Sequence, residues 1–318
     1  MIAVRIKSGR VIVRDEAVPV RPPGFALLRL SLAGICNTDL ELLRGYYGFE
    51  GVPGHEFVAT VVACDNPSLL HQRVVGEINL PCGDCDMCAQ FLSRHCRSRT
   101  VLGILNHPGA FAEFFTLPEA NLHLVPDDVA DSEAVFVEPV AAACQILDQV
   151  SVKTGDEVAV LGDGKLGLLI TQVLVAEGRA VTLYGKHESK LNIARIAGAR
   201  VAFASNLPKA ACHLVVECTG SAAGLKSAIS MTEPRGIIVM KSTVHDEVSI
   251  DTAHLIVNEI TLVGSRCGRF EPANALLRAK KLNVQPMISA RFALRDAEAA
   301  FAEAARPGVL KVLLDPSA

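Results

Sequence analysis

The chain has 318 residues, half of them hydrophobic and 20% charged, and its 31 basic and 34 acidic residues give a formal net charge of −3. That length is too great for one compact core and predicts about two domains. No basic stripe or charged block stands out, so we expect neither nucleic acid nor a membrane surface as a partner. Without a secretory leader or a run of about 18 apolar residues, we expect a cytoplasmic protein whose thiols stay reduced.

Short segments separated by turn residues fill the first part of the chain, from residue 1 to about 135. Pro-Gly pairs at 23–24 and 108–109, and a Gly-Val-Pro-Gly turn at 51–54, bound stretches in which apolar and polar residues alternate. A period of two is typical of strands that bury one face. We therefore expect a compact, β-rich, barrel-like domain in this part of the chain.

A group of four cysteines interrupts this region with the spacing C-x2-C-x2-C-x7-C. In a reducing compartment such a group favours a metal ion over disulfides. Four thiolates suit tetrahedral zinc and leave no coordination position for a substrate. The spacing therefore predicts a structural zinc site, with an iron–sulfur centre as the alternative. The four residues are Cys82, Cys85, Cys88 and Cys96.

Strand-like and helical segments alternate from residue 138 onward. A helical run at 140–150 precedes a buried strand at 157–161 and a helix at 165–177. Six strands with intervening helices predict a doubly wound parallel sheet. The remaining strands are expected at 180–184, 201–203, 214–218, 236–240 and 260–263, the remaining helices at 189–197 and 272–281, and a last strand at 309–314.

A glycine-rich segment, Gly162-Asp-Gly164-Lys165-Leu166-Gly167, joins the first of these strands to its helix. Glycines at this spacing are a weak signal alone, but a strand before them and a helix after them make a dinucleotide-binding loop. The backbone can then approach a pyrophosphate, which the helix N-terminus attracts. We expect all five named residues of the segment to contact the cofactor.

The end of the second strand decides the choice of cofactor, because an NAD site usually carries an acid there for the ribose hydroxyls. Gly185 takes that place, followed by Lys186, His187 and, one turn later, Lys190. A glycine leaves room for a 2′-phosphate, the cations would neutralise it, and no acid repels it. The segment favours NADP(H) over NAD(H); alternatively, the lysines are ordinary solvated charges. Lys241, after the fifth strand, could approach the nicotinamide or face solvent, and we expect it to face solvent.

Five motifs in a fixed order carry a resemblance to one family: Gly34-Ile-Cys36-Asn-Thr38-Asp39, Gly54-His55-Glu56, the four-cysteine group, Glu138-Pro139 and the glycine loop. Over nearly its whole length the chain resembles the zinc-dependent alcohol dehydrogenases of the medium-chain dehydrogenase/reductase superfamily. The Glu-Pro motif resembles the polyol and threonine dehydrogenase-like branch of that family.

The resemblance implies a fold with three segments. Residues 1–139 would form a GroES-like, β-rich catalytic domain with a structural zinc lobe. Residues 140–267 would form a Rossmann dinucleotide-binding domain, a doubly wound parallel sheet of the α/β class. Residues 268–318 would return to the catalytic domain. Two zinc ions per chain and a homodimer or homotetramer are further implications.

The resemblance also implies the ligands of a catalytic zinc. Cys36, His55 and Glu138 would surround the ion, and Glu56 would be an additional or alternating ligand. None of these residues is near all the others in sequence, so spacing alone does not join them.

Four more residues around this site receive roles from the resemblance. Asp39 would orient the ligand histidine and Thr38 would pass on the substrate proton. Lys311 would lie near the cofactor pyrophosphate. The chain departs from the liver-type enzymes at Glu41, where they have a histidine that ends the proton relay, so either this carboxylate or water carries the proton onward.

These expectations converge on hydride transfer between a nicotinamide cofactor, with NADP(H) favoured, and a small molecule. The substrate class would be a secondary alcohol, polyol or hydroxy amino acid and its carbonyl, activated by zinc. Two alternatives remain at this point. One is a zinc-free quinone or enoyl reductase of the same fold, and the other is a non-catalytic or redox-sensing nucleotide-binding protein.

Overall fold

The computed structural model describes residues 1–152, 156–243 and 247–318. The chain divides into two compact units, of which the first combines Met1–Glu138 with Met287–Ala318 and the second is Pro139–Pro286. Within the described residues, every helix is too short or too polar to span a lipid bilayer.

Short strands dominate the first 138 residues. The longest, Phe25–Ile35, buries Ala26, Leu28, Leu30 and Leu32 at alternate positions, so the pattern of two places them on one face. The predicted β-rich domain is confirmed here. The elements are β1 (Ile2–Lys7), β2 (Arg10–Asp15), β3 (Phe25–Ile35), α1 (Asn37–Leu43), β4 (Glu56–Ala63), β5 (Arg73–Gly76), β6 (Asn79–Leu80), α2 (Asp86–Ala89), β7 (Thr100–Leu102), β8 (Asn106–His107), β9 (Phe114–Pro118), β10 (Leu122–Leu124) and α3 (Asp131–Ala134).

Strands and helices alternate in the second unit, as the sequence predicts. The first of its strands is Glu157–Leu161, with four of its five residues buried. The elements are α4 (Val137–Gln149), β11 (Glu157–Leu161), α5 (Lys165–Ala176), β12 (Ala180–Gly185), α6 (Glu188–Ile196), β13 (Arg200–Phe203), β14 (Cys212–Glu217), α7 (Ala222–Met231), β15 (Thr232–Met240), α8 (Thr252–Val257), β16 (Thr261–Gly264) and α9 (Phe270–Arg278).

The chain returns to the first unit through a final strand–helix–strand segment. Its elements are β17 (Ile288–Ala293), α10 (Ala297–Ala304) and β18 (Lys311–Asp315). Short 3-10 turns lie at Tyr46–Gly48, Pro67–Leu69, Ser93–His95, Glu119–Asn121, Gln285–Met287 and Leu294–Asp296.

A seven-stranded sheet organises the first unit, in the order β10-β5-β4-β3-β18-β17 with β9 also paired to β3. β3 runs antiparallel to both β4 and β18, and Gly34 lies opposite Glu56 on one side and Leu313 on the other. This register brings the end of the chain beside the first third of it. It also sets the site described below.

The second unit contains a six-stranded parallel sheet in the order β13-β12-β11-β14-β15-β16. Counted from β11, this order is 3-2-1-4-5-6, the arrangement of doubly wound dinucleotide-binding sheets. The predicted Rossmann fold is therefore confirmed. A helix lies between the two strands of each pair that is consecutive in sequence, such as α5 between β11 and β12, and this connection lets the two strands run parallel.

Residues 268–286 lie in the second unit, whereas the sequence placed them with the return segment. The reason is close packing onto α4 and α5. A Cβ atom on Gly268 would lie 1.8 Å from the carbonyl oxygen of Ala141, so the two backbones touch. Further along, the amide of Asn283 donates to Oε1 of Gln172 at 2.7 Å.

Candidate active site

Cys36, His55 and Glu56 come together where β3 ends and β4 begins. Cys36 follows the last residue of β3 and is the N-cap of α1, while His55 precedes β4 and Glu56 is its first residue. Because β3 and β4 are antiparallel, these two ends are adjacent. One ligand atom from each side chain lies within 4.8 Å of the other two. A thiol, an imidazole and a carboxylate form a donor set that suits zinc.

Asp39 lies beside His55, the histidine of this cluster. The imidazole is 3% exposed, and its Nδ1 lies 3.4 Å from Oδ1 of the fully buried Asp39. Neither atom has a well-aligned hydrogen-bond partner among the described residues. Burial lowers the pKa of His55, but the charge and hydrogen bond of Asp39, together with Cys36, outweigh it and raise that pKa well above its usual value. A metal ion on the other nitrogen fits this arrangement, because Nδ1 then carries a proton for Asp39.

Asp39 also fixes the cysteine of the cluster. Its second carboxylate oxygen, Oδ2, accepts a hydrogen bond from the amide of Cys36 at 2.8 Å. One buried acid, in the first turn of α1, therefore contacts two candidate ligands. The sequence predicted a role for Asp39 at His55 only, so the contact with Cys36 is an addition.

Lys311, predicted near the cofactor pyrophosphate, contacts Glu56 of the three-residue cluster. Its ammonium forms a buried ion pair with Oε2 of Glu56 and lies 5.7 Å from the centre of the Phe136 ring. Burial lowers the pKa of Lys311, but the Glu56 carboxylate together with the neighbouring Cys36 and Asp39 overcomes this and raises it. At 2% side-chain exposure, the Lys311 ammonium is shielded from water.

Gly34 explains why this ion pair fits. A Cβ atom on Gly34 would lie 2.8 Å from Oε2 of Glu56 and 3.1 Å from Cδ of Lys311. The glycine of the Gly-Ile-Cys motif therefore leaves the space in which the two long side chains meet across β3. Nothing local in the sequence links Glu56 to Lys311, and only the register of β3, β4 and β18 does so.

The other residues assigned to this site do not all join the cluster. Thr38 is close, with its Oγ1 3.7 Å from Cys36 Sγ. Glu41 forms an ion pair with Arg44, the residue that follows α1. Glu138 lies in the first turn of α4, but its carboxylate is not in the three-residue cluster found among the described residues.

The four cysteines of the lobe form the second cluster, with all four sulfurs within 4.8 Å of one another. The Cys82–Cys96, Cys85–Cys88 and Cys85–Cys96 sulfur pairs are 3.4, 3.6 and 3.8 Å apart. Tetrahedral zinc with bonds of about 2.3 Å holds its sulfurs about 3.8 Å apart, whereas a disulfide needs about 2.05 Å. None of the ten cysteines, all of which lie in the described ranges, forms a disulfide. The cluster thus fits a structural zinc site.

The thiols of the lobe differ in pKa: those of Cys82 and Cys88 are raised, whereas that of Cys85 is lowered. Hydrogen bonds from the amides of Cys88 and Arg97 lower the pKa of Cys85 to about 6. A thiolate is the form that binds zinc. Most of the lobe is accessible to solvent, since Cys82 is exposed, Cys85 and Cys88 are half-buried and only Cys96 is buried.

The glycine loop lies between β11 and α5, as predicted. Gly162 has a φ of 120°, which favours glycine, and a Cβ on Gly167 would lie 1.9 Å from the Gly162 carbonyl oxygen. Gly164 is the N-cap of α5, and a Cβ built on it meets no atom within 4 Å. Lys165 and Leu166 open the helix. The loop therefore needs two glycines for its own shape and leaves space beside the third.

Asp163, within the glycine loop, is a residue that the sequence reasoning missed. Its Oδ2 accepts hydrogen bonds from the amides of Lys186 and His187, each at 2.7 Å, and lies 3.0 Å from Nδ1 of His187. The sequence did contain a signal for this contact. An aspartate lies between two glycines of the loop, and a glycine at the end of the next strand leaves room for its carboxylate. Of the predicted cations, Lys186 is exposed and Lys190 is only 9% exposed.

Lys241 is buried, and its predicted exposure to solvent is wrong. Its Nζ donates to the carbonyl oxygens of Ala142 and Arg266, at 2.6 and 2.9 Å, and to Oγ of Ser265, at 3.1 Å. Three acceptors satisfy all three protons of the ammonium. The lysine thus fastens the start of α4 to the segment after β16.

Two family models match the chain. The first, described as an alcohol dehydrogenase GroES-like domain, matches residues 22–127, and the second, a zinc-binding dehydrogenase, matches residues 166–281. An L-threonine 3-dehydrogenase from Streptomyces avermitilis is 32% identical over 95% of this chain and 94% of its own length. A sorbitol dehydrogenase from Halalkalibacterium halodurans is 24% identical over 97% of this chain and 96% of its own.

Solved structures agree with this similarity. A Sinorhizobium meliloti 1021 protein described as a zinc-binding dehydrogenase, bound to NADP, has a TM-score of 0.91 and 27% identity over 99% of both chains. The alcohol dehydrogenase TADH from Thermus sp. ATN1 has a TM-score of 0.88 and 28% identity, also over 99% of both chains.

Proposed function

This chain belongs to the zinc-dependent alcohol dehydrogenases of the medium-chain dehydrogenase/reductase superfamily, in their polyol and threonine dehydrogenase branch, and from that premise we propose the reaction it catalyses. It transfers a hydride between a nicotinamide dinucleotide and the carbon of a secondary alcohol, polyol or hydroxy amino acid, with release or uptake of the hydroxyl proton. Relatives named for sorbitol and for L-threonine support this substrate class.

The observation that carries the proposal is the meeting of Cys36, His55 and Glu56 in a buried part of the first unit. These residues, with Glu138 from the start of α4, would hold a catalytic zinc, and the four cysteines of the lobe would hold a structural one. When bound at the first site, zinc lowers the pKa of a coordinated hydroxyl and polarises a carbonyl. Each chain then carries two zinc ions.

The surrounding side chains position the ligands and move the proton. Asp39 fixes both the His55 ring and the Cys36 backbone. The ion pair with Lys311 balances the charge of Glu56, so that a buried cluster with a thiolate does not hold two uncompensated anions. Thr38 takes the substrate proton at Oγ1, beside Cys36, and passes it toward the solvent through Glu41 or water.

NADP(H) is the favoured cofactor. Gly185 places no side chain of its own at the end of β12, and Lys186 is exposed directly after it. A cation there suits a 2′-phosphate, and the similar Sinorhizobium protein is bound to NADP. The protein is also proposed to be a homodimer or homotetramer, which light scattering after size exclusion would measure.

A substrate panel tests the reaction. Secondary alcohols, polyols, L-threonine and the matching ketones are offered with both cofactors, and the absorbance of the reduced nicotinamide is followed. We expect turnover with at least one alcohol–carbonyl pair, lost after dialysis against a chelator and restored by Zn²⁺. Turnover that persists at full rate without zinc, or its absence with the whole panel, contradicts the proposal.

A further inference from the structure

A carboxylate lies at the end of the second strand of the parallel sheet, although that strand ends in glycine. It belongs to Asp163 of the glycine loop, which reaches across to the turn after β12. The amides of Lys186 and His187, the first two residues of that turn, both donate to its Oδ2 at 2.7 Å. The side chain therefore comes from the glycine loop but makes its hydrogen bonds with the turn after β12.

The carboxyl group fills the space of the missing side chain. A Cβ atom built on Gly185 would lie 2.6 Å from Cβ, 2.7 Å from Oδ2 and 2.8 Å from Cγ of Asp163. An acid at the end of this strand is the group that accepts the ribose hydroxyls in NAD sites. Gly185 thus does not leave the place empty, and the chain supplies an acid there from the glycine loop.

The carboxylate is charged and has one oxygen to spare. Burial raises the pKa of Asp163, but hydrogen bonds from the His187 and Lys186 amides and from the His187 ring outweigh burial and lower it. Its hydrogen bonds with the described residues all reach Oδ2, which leaves Oδ1 for a ligand. The side chain is 10% exposed, so water screens its charge weakly.

We propose that Asp163 is a specificity-determining residue of the cofactor site. Its carboxylate accepts a hydrogen bond from the ribose 2′-hydroxyl of NAD(H) and repels the 2′-phosphate of NADP(H). The proposal rests on the proposed function, because it requires a nicotinamide dinucleotide in the glycine loop. Cofactor preference is then set by opposition between Asp163 and Lys186, and the preference for NADP(H) is smaller than the cations alone would give.

The test variant is Asp163→Asn. Asparagine keeps one oxygen for the three donors that now reach Oδ2 and places an amide nitrogen at Oδ1, so the turn keeps its bonds and loses the charge. The dissociation constants of NADPH and NADH are measured by fluorescence titration. We expect NADPH to bind more tightly and NADH more weakly, so that their ratio shifts toward NADPH by about tenfold or more.

Glu188→Gln is the matched control. It also removes a carboxylate beside the turn, but Glu188 pairs with Arg195 at 3.0 Å, and the ratio should change by less than about twofold. Lys186→Ala should shift the ratio toward NADH.

Equal weakening of both cofactors by Asp163→Asn, or a shift toward NADH, overturns the role of Asp163 while leaving the proposed function intact. A wild-type protein that binds neither nucleotide overturns the proposed function and this inference together.

Discussion

The two ligand clusters of the first unit differ in how the chain assembles them. The lobe takes four identical ligands from one short stretch, Cys82 to Cys96, and three of the four are accessible to solvent to some degree. The other cluster takes three different ligands from the ends of two strands, and its His55 and Glu56 are almost fully buried. Four ligands from one short stretch can fill every coordination position of a zinc ion. A catalytic site instead needs an open position that is shielded from water, and here the strands of the sheet provide that shielding.

Support from surrounding residues separates the clusters further. Asp39 and Lys311 contact the buried cluster from α1 and β18, and both are themselves buried. In the lobe, the backbone amides of Cys88 and Arg97 donate to the Cys85 sulfur. Loss of a residue should therefore affect chemistry at one cluster and local order at the other.

The largest effect is expected from Cys36→Ser. It removes the thiolate of the buried cluster, and we expect kcat to fall by about 10³-fold or more, because activation of the hydroxyl by zinc contributes several kcal/mol. Initial rates measure this, with circular dichroism as the check on folding. Retention of more than a tenth of the wild-type rate contradicts a catalytic role for this cluster.

Lys311→Met should be the most destabilising change at the same cluster. It leaves the Glu56 carboxylate buried without its cation, which costs about 3–5 kcal/mol in the free energy of unfolding. Urea denaturation measures it, with Lys226→Met on the exposed surface of α7 as control. The double variant Glu56→Gln, Lys311→Met should recover much of the loss. If it is no more stable than Lys311→Met alone, the ion pair is not the cause.

Asp39→Asn should have an intermediate effect. The amide keeps an acceptor for the Cys36 backbone but no longer stabilises the His55 ring by charge, so we expect a loss of about 10- to 100-fold in activity or zinc affinity. Steady-state rates at saturating and at limiting Zn²⁺ distinguish a loss of activity from a loss of zinc affinity. Activity and affinity that both stay within about twofold of wild type would show that Asp39 only caps α1.

The smallest effect on turnover is expected from Cys85→Ser. The lobe should lose its metal and become cleavable by trypsin at Arg94 or Arg97, while kcat per folded molecule changes by less than about threefold, because no lobe cysteine belongs to the buried cluster. Time-resolved proteolysis and initial rates are measured on one sample. An uncleaved lobe would mean that the four thiols hold no structural ion.

The sequence predicted best what is encoded locally. β11 and the glycine loop follow from a short apolar run and from glycines whose spacing meets a backbone requirement, and the four-cysteine lobe follows from spacing alone. The buried cluster needed a family resemblance, because Cys36 and His55 meet only through the register of β3 and β4.

Three side chains escaped sequence reasoning because their partners are distant in the chain. Lys311 bonds to Glu56, 255 residues away, and Asp163 bonds to the turn 23 residues later. Lys241 finds its acceptors in α4 and after β16. From sequence alone a lysine is expected at the surface. Only the tertiary structure shows the acceptors that compensate for burying its charge.

The central claim is that the buried cluster is catalytic and that the lobe is structural. Zinc content and turnover, both measured in Cys36→Ser and Cys85→Ser, test this claim most directly. Native mass spectrometry should find two zinc ions in the wild-type chain and one in each variant. Only Cys36→Ser should lose turnover, while Cys85→Ser remains active with its single ion. Loss of turnover in Cys85→Ser with the buried ion still bound, or full turnover in Cys36→Ser, would contradict the assignment of chemistry to the scattered cluster.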